Sequence, residues 1–342
     1  MISLECLLQA LADPRAYPGE TGPVEVHQTH ISAVFLVGSQ AYKIKKPIEL
    51  GFLDFRTLQS RHHFCQEEVR LNRRLAPTVY RGVVPITQQG DRLIVNGSGE
   101  AVEWAVWMQR LPAKASLLAR LHHGEVRAAQ IEDLAHRLAR FHATADRGPA
   151  IAAAGSFQAI CNNVRENFLQ ARAQVGSTIT ADDFEQLRQA SEAALAHLRS
   201  VIDARCQAGC PCDGHGDLHS DHIYLFPDRP YSEAVQIIDC IEFNDRFRHA
   251  DPVADMAFLV MDLRFQGRAD LADRFAAAYF TATGDEQGQL LVSFYAAYRA
   301  VVRAKVEGME LLEREIPADE RHAAEQRARQ HWALAWQLLT AS

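Results

Sequence analysis

His215-Gly216-Asp217-Leu218-His219-Ser220-Asp221-His222-Ile223-Tyr224-Leu225-Phe226, followed by the apolar run Ile237-Ile238 that ends in Asp239, decides the reading of this chain. One carboxylate stands in a tight loop, and a second follows about twenty residues on, the division that phosphoryl transfer from ATP needs between an acid for the acceptor hydroxyl and an acid for a metal ion. Around them, residues 223–226 and 234–238 are short apolar runs parted by Pro227-Asp228-Arg229-Pro230, which reads as a hairpin. The hairpin interrupts a helical region: residues 127–143, 157–173, 181–204, 271–281, 289–312 and 319–339 carry helix-compatible apolar spacing.

The first 108 residues read differently. Residues 24–27, 33–37 and 41–45 alternate as strands, the last two joined through Gly38-Ser39-Gln40. A helix over 60–75 closes at Pro77, and strands follow over 80–86, 92–95 and 102–108. The expected fold class is α+β and bilobal, with a small β-rich N-lobe (1–108) and a larger helical C-lobe (109–342) carrying an embedded β-hairpin.

Composition excludes several classes. With 48% apolar and 23% charged residues the chain is globular, and no apolar run approaches the ~18 residues of a membrane span. A net charge of −7 argues against a nucleic-acid binder, which needs clustered Lys and Arg. The first residues lack the basic head and apolar core of a secretory signal, and the seven cysteines form an odd count. A cytoplasmic protein with reduced thiols is expected, binding neither membrane nor nucleic acid.

At His215-Gly216-Asp217-Leu218-His219, Ile238-Asp239 and Asp251-Pro252-Val253-Ala254-Asp255-Met256-Ala257-Phe258 the sequence resembles the aminoglycoside phosphotransferase family, which has the protein-kinase-like fold. It looks most like a bacterial subgroup often joined to a C-terminal P-loop ATP-binding domain. No G-x-x-x-x-G-K-[ST] occurs in these residues, so a P-loop partner is expected only as a separate protein. The resemblance implies Asp217 as the catalytic base and Asp239 as the ligand of Mg²⁺ on the β- and γ-phosphates of ATP. His222 departs from the family, which usually has Asn there. Three readings follow: it ligates a metal, with Mn²⁺ then an alternative to Mg²⁺; it hydrogen-bonds Asp217 and steadies the loop; or activity is impaired.

The same resemblance calls for a strand lysine at the phosphates, paired with a helix acid. Lys43 and Lys45 alternate onto one face of their strand, and the spacing from Tyr42 and the break at Pro47 favour Lys45, with Lys43 in reserve. Glu68 fits the partner better than Glu67. No G-x-G-x-x-G loop is present; instead the Thr29 and Ser32 hydroxyls in the first hairpin turn are candidates for phosphate contact, and Met108 opens the connector expected to meet the adenine edge. Glu242, Asp245 and Asp251 add negative charge that would suit a polyhydroxylated or cationic acceptor; the alternative for Asp251 and Asp255 is a structural cap that ties the hairpin to the following helix. The expected activity is ATP-dependent phosphorylation of a hydroxyl on a small molecule, whether aminoglycoside-like, sugar-like or an amino alcohol. The alternative is a catalytically impaired kinase-like nucleotide-binding or regulatory module.

Overall fold

The structure is a computed structural model that describes residues 2–51, 53–311 and 318–340. Two compact units form, Met1–Arg120 with Asp221–Asp245, and Leu121–Ser220 with Arg246–Ser342.

In the first unit the alternating runs become β1 (Glu25–Gln28), β2 (Ser32–Val37), β3 (Gln40–Lys45), β4 (Tyr80–Gln89), β5 (Arg92–Val95) and β6 (Ala101–Gln109). They pair antiparallel in one six-stranded sheet of order β1-β2-β3-β6-β4-β5. The β2–β3 turn is tight enough to need a left-handed residue, and Gly38 supplies it at φ +53. One face of the sheet, with Phe35, Val37, Tyr42, Ile44, Ile86 and Val95, packs on Leu7 and Leu11 of α1 (Leu4–Leu11). The other face, with Ala41, Tyr80, Val106 and Met108, packs on Cys65 and Val69 of α2 (Leu58–Asn72).

The buried side of α2 is only partly apolar. Arg61, Glu68 and Asn72 are also enclosed, which a structural helix would avoid unless each polar group had a partner. Arg61 pairs with the buried Glu103 of β6 at 2.7 Å, and Asn72 donates to the Glu68 carbonyl at 2.9 Å. The embedded hairpin, β7 (Ile223–Leu225) and β8 (Val235–Ile237), pairs Ile223 with Ile237. Although expected within residues 109–342, the hairpin groups with this unit: Cys240 N–H donates to Asn72 Oδ1 at 2.9 Å, and Asp239 N–H donates to the Tyr80 hydroxyl at 3.2 Å.

The second unit is helical: α3 (Ala128–Thr144), α4 (Phe157–Ala171), α5 (Ala181–His197), α6 (Arg199–Gln207), α7 (Pro252–Phe265), α8 (Ala269–Thr283), α9 (Val292–Glu310) and α10 (Ala318–Thr340). The single helix expected over 181–204 is two, separated at Leu198. α7 lies at the centre, packed on α8 and α9, and every residue from Val253 to Leu263 is buried. A helix apolar around its whole circumference has no amphipathic period by which the sequence would delimit α7. Its N-terminus is fixed by Asp251, which caps Val253 N–H at 3.0 Å and binds Arg205 of α6 at 2.7 and 2.9 Å. Among the described residues, no helix is long and apolar enough to cross a membrane.

Candidate active site

In the helical unit, the acids of α7 hold the His-Gly-Asp loop. Asp255 accepts the His215 N–H at 2.5 Å through Oδ2 and the Gly216 N–H at 2.8 Å through Oδ1, while Asp262, two turns further along α7, accepts the Ser220 N–H at 2.8 Å. These bonds bracket Asp217. Glycine is required at 214 because a Cβ there would sit 2.3 Å from Asp255 Oδ2. Asp255 is itself buried beside His142 (3.4 Å) and Arg299 (4.0 Å), and His142 bonds the Tyr279 hydroxyl at 2.8 Å. Burial pushes the Asp255 carboxyl up, but His142, His215 and Arg299 outweigh it and hold it well below the usual carboxylate range.

Leu218 is buried and anchors the loop, whereas the Asp217 side chain is 33% exposed and lies 3.6 Å from His219 Nε2. Burial pushes the His219 imidazole down, and the Asp217 carboxylate more than reverses this, so its pKa is raised. The result is a partly exposed carboxylate on a loop held by backbone hydrogen bonds, which suits orienting a hydroxyl and accepting its proton.

The β-rich unit assembles a second group. The β3 alternation puts Lys43 and Lys45 on the α2 face. Lys45 Nζ donates to Glu68 Oε2 at 2.8 Å and, through a short bond, to Glu242 Oε1. Lys43 Nζ lies 3.0 Å from Glu68 Oε1 and donates to Asp239 Oδ1 at 2.6 Å. Burial pulls both ammonium groups down, yet the surrounding carboxylates hold both pKa values above the ordinary one. For Glu68, burial pushes the carboxyl up and the two lysines bring it below its ordinary value; for Glu242, burial prevails and the pKa is raised.

Asp239 follows β8 in the left-handed region at φ +62, a strained setting that Asp tolerates better than most residues. Its carboxylate is 41% exposed, and His222 Nε2 lies 3.6 Å from its Oδ2. Two ammonium groups therefore face three carboxyl groups, with an open carboxylate and an imidazole at the edge of the cluster. Of this cluster, the Asp239 carboxylate and the His222 imidazole are the groups that could ligate a divalent cation.

Thr29, Ser32 and Met108 fall outside this cluster of charges. The Thr29 and Ser32 hydroxyls bond each other at 2.9 Å, and Thr29 Oγ1 accepts the Ser32 N–H at 3.1 Å, so both serve the turn itself. Met108 is buried in the α2-side core, and beyond it the Gln109 and Arg110 amides donate to the Val79 and Ser39 carbonyls. Glu242, expected to attract a cationic acceptor, instead neutralises Lys45, while Asp251 takes its structural alternative, capping α7 and pairing with Arg205. Asp262, His142 and Tyr279 were missed. A buried acid at Asp262 was signalled only by its place in an otherwise apolar run.

An antiparallel sheet with a Lys-Glu-Asp cluster on its helix face, and a helical unit presenting an acid on a braced loop, define a phosphotransferase of protein-kinase-like fold. The chain belongs to the phosphotransferase enzyme family, which it matches over residues 54–291. The solved GDP complex of aminoglycoside 2'-phosphotransferase-IIIa superposes with a TM-score of 0.56 at 16% identity, over 92% of this chain and 94% of that one. A choline/ethanolamine kinase family protein from Mesorhizobium loti gives a TM-score of 0.53 at 13% identity, covering 97% and 98%. At these identities the likeness shows the fold. Uncharacterized proteins of Mycobacterium tuberculosis and Mycobacterium bovis are 36% identical over 293 residues, 85% of this chain and 56% of theirs. The chain spans about half the length of these curated relatives.

Proposed function

We propose that this protein transfers the γ-phosphoryl group of ATP to a hydroxyl of a small molecule. Asp217 orients the acceptor hydroxyl and takes its proton; a lysine of β3, tethered by Glu68, meets the phosphates; Asp239, with His222, holds Mg²⁺ or Mn²⁺. Bound Mg·ATP supplies the transferable group and a counter-charge to it. The observation that carries the reading is the placement, within one unit, of a strand lysine 3.0 Å from a buried helix glutamate and 2.6 Å from the strand-end aspartate. Such a set positions an ammonium and a metal ligand together, and phosphoryl transfer depends on positioning and charge neutralisation more than on covalent chemistry.

Two features keep the acceptor panel broad: Glu242 and Asp251, two of the three acids that would favour a cation, are consumed in ion pairs, and the family serves many alcohols. The test is a screen for nucleotide consumption over aminoglycosides, sugars, amino alcohols and hydroxy acids, with ATP and GTP and with Mg²⁺ and Mn²⁺. GTP belongs in it because one structural neighbour was solved with GDP. Acceptor-dependent turnover is expected. Nucleotide binding without turnover across the panel would instead support the second reading, an impaired nucleotide-binding module, which the histidine beside Asp239 favours.

A further inference from the structure

The sequence offers two lysines for one role, and their surroundings differ. The Lys45 side chain is 2% exposed, and its ammonium is held by Glu68 and Glu242, two carboxylates that are themselves buried. The Phe55 ring, 5.1 Å from Nζ, adds a further wall. For a phosphate oxygen to reach Lys45, a carboxylate would have to leave it in a site closed to water, and separating a buried pair leaves an uncompensated charge. Lys43 is 12% exposed, and one of its two carboxylate partners, Asp239, is 41% exposed. Its contact with Glu68 Oε1 lacks hydrogen-bond geometry, since that oxygen has no hydrogen-bond partner. Its one hydrogen bond, to Asp239, leaves N–H groups to donate.

We propose that Lys43, not Lys45, is the ammonium that meets the nucleotide phosphates, and that Lys45 and Glu242 form a buried brace that fixes Glu68 for it. The proposal rests on the nucleotide reading above. In the free protein the Lys43–Asp239 pair holds both groups ready, and Glu68 keeps Lys43 tethered when Asp239 turns to a cation. Glu242 has a purpose here that no catalytic motif records: it supplies the second negative charge that keeps Lys45 out of the phosphate site, leaving Glu68 shared between the two lysines. Glu242 and Lys45 are thus positioning residues, and Lys43 is the binding one.

The experiment measures, on the full chain, the calorimetric affinity for non-hydrolysable ATP and GTP analogues with Mg²⁺, together with the melting temperature without nucleotide. Lys43→Ala should weaken binding at least ~10-fold, the loss of a charge-assisted bond, while melting within ~3 °C of wild type. Lys45→Met should lower the melting temperature by ~5 °C or more, because Glu242 is left buried and unpaired. The double variant Lys45→Met/Glu242→Gln removes both charges together; it should recover most of that melting loss and, with Glu68 still beside Lys43 but no longer braced, bind the analogue more weakly than wild type yet more tightly than Lys43→Ala. A merely structural Lys43 would move affinity and melting together. Wild-type affinity in Lys43→Ala, or a double variant as weak as Lys43→Ala, overturns the assignment while leaving the nucleotide reading intact. A wild-type protein that binds neither analogue overturns that reading and the assignment with it.

Discussion

Asp255 is where fold and site meet, and Asp255→Asn separates the acid that holds the catalytic loop from the acid on it. The carboxylate accepts two backbone N–H groups, from His215 and Gly216, in a buried setting. An asparagine of the same shape has one acceptor oxygen, so whichever way its amide turns, an N–H of the loop faces an N–H₂. One bond is lost with its donor left buried, at about 1–3 kcal/mol, and the survivor loses its charge assistance, at about 1–2 kcal/mol more. A total of about 2–5 kcal/mol corresponds to a melting shift of roughly 3–7 °C for a chain of 342 residues. The gap between wild type and variant should be constant from pH 5 to pH 8. A carboxyl whose folded pKa is depressed contributes stability that is complete above its unfolded value, near ~3.9, and is lost only as pH falls through the lower folded value. Thermal unfolding at several pH values reads both, and amide exchange over residues 214–220 should accelerate. A variant melting within ~1 °C of wild type, or a gap that closes between pH 8 and pH 5, would refute the reasoning.

Gly214→Ala forces a Cβ to within 2.3 Å of the same Asp255 oxygen and should destabilise by about 1–3 kcal/mol, read as a lower denaturant midpoint at unchanged slope. His219 gives the opposite pH dependence. Its folded pKa is raised by Asp217, so its contribution is complete below the unfolded value near ~6.5 and is lost as pH rises through the folded one. The stability advantage of wild type over His219→Gln should therefore shrink between pH 6 and pH 9; an advantage that grows over that range contradicts the Asp217–His219 pairing.

Much of this fold was legible because the code for it is local. Strand alternation placed β3 and the face its lysines share, and Arg92–Val95 was read to the residue. The loop acid and the strand-end acid were visible as a motif because each needs particular neighbours: Gly216 at φ +87 before Asp217, and an apolar run before Asp239. What stayed hidden is non-local. Period-two alternation treats Lys43 and Lys45 alike, and what distinguishes them is Glu242, 197 residues from Lys45 in sequence. Glu242 and Asp251 read as charge for an acceptor, with helix capping as the alternative for Asp251 and Asp255, yet Glu242 and Asp251 are spent on buried cations and Asp255 on the loop, because acids enclosed in a core persist only when paired. α7 carries no amphipathic period since neighbours surround it, and α5 and α6 share one continuous pattern across the break at Leu198.

The proposed phosphoryl transfer depends on the chemical role of Asp217, whose carboxylate is 33% exposed on a loop fixed at both ends. The most direct measurement is single-turnover phosphoryl transfer to the best acceptor, comparing wild type with Asp217→Asn at saturating Mg·ATP and matched nucleotide affinity. Loss of a positioned base should lower the rate ~100-fold or more while leaving the melting temperature and the nucleotide dissociation constant near wild type. Equal rates in the two proteins would contradict it.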